Sequence, residues 1–103
     1  MRFGLDEIDI KRINSVFALF PEVEKVILYG SRAKGNYKLG SDIDITLKGQ
    51  YLNLETVNAI ETKIDDLLLP YLFDISIFSQ IDNPDLVEHI NRIGKLFYEK
   101  GAT

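Results

Sequence analysis

An α/β (α+β) fold, one sheet with its helices packed mainly on one face, is the architecture the sequence predicts. Three observations carry it. Segments of helical period alternate with short β-rich runs along the whole chain. Two of those runs alternate apolar and polar residues, the pattern of strands with one face in solvent. The length of 103 residues suits one hydrophobic core and not two, and no linker, repeat or low-complexity tract divides it. Residues 1–103 therefore read as a single domain.

Ile10, Ile13, Phe17 and Phe20 recur on one helical face and predict a helix over 6–20, stopped by Pro21. Val23–Tyr29 is a short β-rich run ending at Gly30. Asp42–Leu47 alternates with period two and predicts a half-buried strand. Val57, Ile60, Ile64, Leu67 and Leu68 mark a second helix over 53–69, closed by Pro70. Residues 72–78 alternate again, with Phe73, Ile75 and Ile77 on one side and Asp74 and Ser76 on the other. Asn83 reads as an N-cap and Pro84 as the first position of a third helix. Its stripe is Leu86, Ile90 and Ile93, its stop is Gly94, and Lys95–Glu99 predicts a last strand.

Composition removes several function classes. Hydrophobic residues at 46% and charged residues at 27% exclude intrinsic disorder. The absence of Cys excludes disulfide scaffolds, thiolate zinc sites and thiol nucleophiles. A single His excludes a multi-His metal site, which leaves carboxylates as the plentiful ligands, suited to hard cations such as Mg²⁺. No apolar run approaches the roughly 20 residues of a membrane span, and the first residues form no secretory signal. A cytoplasmic protein without membrane contact is the expectation. The net charge is −4, yet residues 30–41 hold Arg32, Lys34 and Lys38 and no acid. A small positive island on an acidic chain suits a compact anion and disfavours an extended nucleic-acid surface.

The chemistry concentrates between Gly30 and Asp44. Gly30 lets a bound group approach the backbone, and Ser31 offers a hydroxyl and an N–H at the start of a short helix. Asp42 and Asp44 share one strand face, with Cα atoms about 6.6 Å apart at about 3.3 Å rise per residue. Two carboxylates so placed repel unless a cation lies between them. Mg²⁺ takes one or two carboxylates plus substrate phosphates, and paired ions support in-line phosphoryl transfer. Asp74 could add a third carboxylate from a neighbouring strand. Asp-x-Asp alone is usually the wet face of a strand. Register raises it above that, because Gly-Ser follows a strand directly and ten residues separate Ser31 from Asp42.

This Gly-Ser-x10-Asp-x-Asp spacing resembles the nucleotidyltransferase superfamily typified by DNA polymerase β. The fuller string Gly-Ser-Arg-Ala-Lys-Gly…Gly-Ser-Asp-Ile-Asp is similar to the minimal nucleotidyltransferases, small stand-alone versions of its palm domain. The likeness extends over about residues 6–99, including Phe73-Asp74-Ile75-Ser76 and the tail from Ile81 to Tyr98. The resemblance implies a palm-like domain with a mixed sheet. It implies that Gly30 and Ser31 hold the β,γ-phosphates of a nucleoside triphosphate, and that Asp42, Asp44 and Asp74 bind two Mg²⁺ ions. Asp74 would also be the general base, Arg32 would steady phosphate or pack near it, and Lys34 and Lys38 would assist. It further implies ATP as substrate, with AMP passed to a hydroxyl of a HEPN-type helical partner as in toxin–antitoxin pairs that AMPylate a tyrosine. Two other readings stand beside it: an aminoglycoside-type small-molecule nucleotidyltransferase and a non-catalytic module that covers a partner. His89 is expected at the surface, and Tyr37 as a loop aromatic that packs or stacks on a base.

Overall fold

The first helix, α1 (Glu7–Phe17), buries Ile10, Ile13, Val16 and Phe17, the stripe read from its periodicity. It ends three residues earlier than the pattern suggests. The N–H groups of Leu19 and Phe20 bond to the carbonyls of Val16 and Phe17, three residues back, so the last turn tightens before Pro21. This computed structural model describes residues 1–38 and 40–101. The remaining elements are β1 (Lys25–Tyr29), α2 (Ser31–Lys34), β2 (Ile43–Lys48), α3 (Leu54–Asp65), β3 (Phe73–Ile77), a 3₁₀ turn (Phe78–Gln80), α4 (Pro84–Ile93) and β4 (Lys95–Glu99).

The strands form one sheet in the order β3-β2-β1-β4. β1 is antiparallel to both β2 and β4, whereas β2 and β3 run parallel through the crossover that contains α3. The sheet is therefore mixed, as expected. Val26 and Leu28 of β1, Ile43, Ile45 and Leu47 of β2, and Ile77 of β3 point to one side. There they meet Ile10, Ile13 and Phe17 of α1 and Val57, Ile60 and Ile64 of α3. Each such burial contributes about 1.5–3 kcal/mol. The core side thus fixes the framework and leaves the opposite face free to carry polar groups.

That opposite face is not wholly open. α4 packs on β1, with Ile90 only 2% exposed and outside the main core. Gly94 sits so close that a Cβ there would lie 2.6 Å from Cγ2 of Ile27. The alternation of β2 and β3 correctly marks a polar face, but α4 needs an apolar bed and finds it on Ile27 and Tyr29 of β1. Asn83 and Pro84 act as read: the Asn83 side chain accepts from the N–H groups of Asp85 and Leu86. α3 stops at Asp65, capped at its start by Asn53. Leu68, expected inside that helix, lies beyond it at φ +57° and is 88% exposed.

Candidate active site

Three side-chain positions form a row across the polar face of the sheet. Tyr29 of β1 is paired with Asp44 of β2, and Asp44 is paired with Asp74 of β3. Neighbouring strands lie about 4.8 Å apart, so the parallel β2–β3 register sets two carboxylates side by side. Asp42 comes just before β2 and is exposed, while Asp44 is half-buried. Burial first, then Asp74, then Asp42 raise the Asp44 carboxyl above the ordinary carboxylate value, and His89 opposes the rise. Among the described residues no ion pair engages Asp42, Asp44 or Asp74. The cluster thus carries negative charge that the chain leaves uncompensated.

Gly30 is shaped by the same cluster. Its φ of 75° and ψ of −153° belong to a region almost reserved for glycine. A Cβ added there would lie 2.5 Å from Oδ2 of Asp44. The glycine of the motif therefore serves the carboxylate as well as the turn. Because Tyr29 pairs with Asp44, the chain from Gly30 to Asp42 is a hairpin connection, and Ser31 and Asp42 emerge at the same end of the sheet. Ser31 opens α2, which closes with the N–H of Gly35 on the Ser31 carbonyl at 3.0 Å.

Arg32, read from the sequence as steadying phosphate or packing near it, is held inside the fold. It is 3% exposed. Its Nε and Nη2 donate to the Ser41 carbonyl at 3.1 and 2.7 Å, and its Nη1 donates to the Phe3 carbonyl at 2.8 Å. The guanidinium also lies 5.5 Å from the ring centre of Tyr37 and 5.1 Å from that of Tyr71. Tyr37 is accordingly a packing partner of Arg32. Lys34 and Lys38 are exposed, so the outward charge of the positive island rests on these two lysines.

Two residues of this face escape sequence reasoning. His89 is not a simple surface residue: its ring meets Tyr29 edge-on at 6.2 Å, and its charge, when protonated, favours ionised Asp44. Burial, with Asp74 and Asp44 adding, raises the Tyr29 phenol, and the Ser76 hydroxyl beside it works against the rise. Neither residue sits in a pattern of its own. The β1–β2 pairing brings Tyr29 to Asp44, and the packing of α4 on β1 brings His89 to the same face.

Among the described residues no group of three or more His, Cys, Asp or Glu side chains is preassembled around one point. The donor chemistry nevertheless fits a hard cation. Mg²⁺ needs one or two carboxylates when phosphate oxygens complete its shell, and Asp44 and Asp74 stand adjacent in register with Asp42 at the rim.

Residues 11–103 match the family of polymerase beta nucleotidyltransferases. The chain belongs to this family. Solved structures agree on the fold. A chain of a toxin–antitoxin crystallised with AMP-PNP superposes with a TM-score of 0.69 at 20% identity, covering 94% of this chain and 76% of that one. A chain from the complex of the tri-AMPylated Shewanella oneidensis HEPN toxin with MNT antitoxin gives a TM-score of 0.67 at 16% identity, covering 93% of this chain and 74% of that one. A Sulfolobus solfataricus protein assigned as a nucleotidyltransferase gives 0.56 at 22% identity, with coverages of 97% and 90%. No curated protein matches the chain. As a polymerase beta nucleotidyltransferase domain it places Gly30, Ser31, Asp42, Asp44 and Asp74 at one end and face of the sheet. The two residues most easily separated from folding are Ser31 and Asp74. On the phosphate role proposed below for Ser31, Ser31→Ala is expected to weaken ATP binding by about 10–150-fold, the loss of one hydrogen bond to a charged group at about 1.5–3 kcal/mol. Titration calorimetry with ATP and Mg²⁺, alongside a thermal melt that stays within a few degrees of wild type, checks this.

Proposed function

We propose that the chain is a Mg²⁺-dependent nucleotidyltransferase that transfers AMP from ATP to a hydroxyl of a protein partner. The partner we favour is a HEPN-type helical protein modified on tyrosine, as in a toxin–antitoxin pair. One observation carries the catalytic part: Gly30 is moulded against Asp44, and Asp44 stands in register with Asp74 on a face that α4 leaves partly open. The solved toxin–antitoxin relatives support the choice of partner, at a level of identity that speaks for the fold.

Each residue has a task in this reading. Gly30 and the Ser31 hydroxyl and N–H receive the β,γ-phosphates. Asp42 and Asp44 hold the metal, and Asp74 completes the site and accepts the proton of the incoming hydroxyl. Mg²⁺, when bound, neutralises the charge that develops on the phosphates. Asp74→Asn is expected to lower kcat by about 10²–10⁴-fold, the span of a lost general base, with a smaller change in the KM for ATP. Steady-state kinetics check it, and wild-type turnover in this variant would return Asp74 to a solvated strand residue.

Co-expression with the HEPN-type protein tests the acceptor. The partner's intact mass should rise by one or more AMP units, and the gain should vanish with Asp42→Asn. An unmodified partner together with a nucleotidylated small metabolite would establish the aminoglycoside-type alternative. A partner bound tightly but modified with none of the four nucleoside triphosphates would establish the non-catalytic one.

A further inference from the structure

We infer that Arg32 is a positioning residue that sets Asp42 relative to Ser31 and Asp44. The inference deepens the nucleotidyltransferase reading and rests on it. Arg32 belongs to α2, one residue after Ser31, and its guanidinium forks onto the carbonyl of Ser41, one residue before Asp42. Two N–H donors converging on one oxygen hold that peptide against the guanidinium more firmly than a single bond would. Between these points Lys34, Gly35, Asn36, Lys38 and Gly40 are exposed. On its far side Asp42 is followed by Ile43, which is fully buried and donates its N–H to the Leu72 carbonyl at 2.9 Å. Arg32 supplies the matching constraint on the near side, across the hairpin.

The surroundings of Arg32 are built to hold it. Tyr37 and Tyr71 flank the guanidinium, and the Phe3 carbonyl takes Nη1 at 2.8 Å. That carbonyl is presented by a tight turn in which Arg2 and Leu5 exchange backbone hydrogen bonds of 3.1 and 2.8 Å. Phe3 and Gly4 both adopt positive φ, at 59° and 73°, the geometry of a type I′ turn. At Gly4 a Cβ would lie 2.8 Å from Nη1 of Arg32 and 2.5 Å from Cε2 of Tyr37. Ser41 adds a clasp of its own: its Oγ accepts from the Lys38 N–H at 2.8 Å, and its N–H donates to the Lys38 carbonyl at 2.9 Å. The N-terminal turn, α2 and the residue before Asp42 therefore meet at one side chain. A lysine keeps the charge but not the fork.

The test compares wild type with Arg32→Lys and with Gly4→Ala, which leaves Arg32 in the chain but crowds its Nη1. Amide exchange at Lys38 and Ser41 is followed by NMR, with the β1–β2 amides as the control for folding. Binding of Mn²⁺ in the presence of a non-hydrolysable ATP analogue is followed by electron paramagnetic resonance. Both variants should keep β1–β2 protection, exchange faster at Lys38 and Ser41, and bind Mn²⁺ about 10-fold or more weakly, the loss common for residues supporting a metal ligand. Wild-type Mn²⁺ affinity in the folded variants would overturn the inference alone. Absence of Mn²⁺ binding in the wild-type protein would overturn the nucleotidyltransferase reading together with it.

Discussion

Asp44→Asn is expected to abolish transfer and, in the metal-free protein at neutral pH, to leave the melting temperature level or raise it. On the proposed function, loss of activity follows from removing a charged metal ligand, which should exceed the about 10²–10³-fold cost of one oxyanion-hole donor. The stability effect follows from protons. Burial and two neighbouring carboxylates raise the Asp44 carboxyl above its unfolded value. The folded chain therefore binds more protons between the two values, so stability falls as pH rises through that window and the loss is complete at neutral pH. Asparagine removes the charge and the penalty together. The difference in melting temperature between variant and wild type should shrink as pH falls below the ordinary carboxylate range of about 4. Melts at several pH values with radiolabelled transfer assays check both halves. Near-normal transfer, or a variant that melts well below wild type at neutral pH, contradicts the placement of Asp44.

Gly30→Ala should damage stability and activity at once. The backbone at φ 75° and ψ −153° is strained for any residue with a side chain, at about 1–3 kcal/mol. For a domain of this size 1 kcal/mol shifts the melting temperature by about 4–8 °C, so a fall of roughly 5–20 °C is expected. The new methyl would also lie 2.5 Å from Oδ2 of Asp44 and displace the carboxylate. Activity measured well below the melting temperature should therefore be nearly lost even where the protein is folded. Pairing the substitution with Asp44→Gly, which empties the space the methyl needs, should restore part of the stability and none of the activity. Full activity in Gly30→Ala would remove the link between the glycine turn and the proposed metal-binding role of Asp44.

The pattern of the sequence discloses what each element does along its own length. The period of two in Asp42–Leu47 placed Asp42 and Asp44 on one face, and the same period around Asp74 placed it on a face of its strand. The structure puts Asp44 and Asp74 in register because β2 and β3 are parallel neighbours. Asn83 and Pro84 marked the start of α4 because capping is local chemistry. Helix ends were less legible. Leu67 and Leu68 continue the apolar stripe of α3, yet their N–H groups bond three residues back, to Ile64 and Asp65, and the chain leaves the helix. What stayed hidden is contact between elements far apart in sequence. His89 reaches Tyr29 only because α4 folds over β1. The sequence leaves Arg32 between steadying phosphate and packing near it, and nothing in its pattern names Phe3, Ser41, Tyr37 and Tyr71, which close around it. Periodicity names the face a residue occupies and is silent about what packs against that face.

The most direct test of the central claim follows two labels through one reaction. The chain, Mg²⁺ and the HEPN-type partner are incubated with ATP labelled on the α-phosphate and, in parallel, on the γ-phosphate. Nucleotidyl transfer predicts that the α-label becomes covalently attached to the partner, that the γ-label leaves as pyrophosphate, and that Asp44→Asn stops both. Attachment of the γ-label, or retention of both labels in ATP while the partner is fully bound, would contradict it.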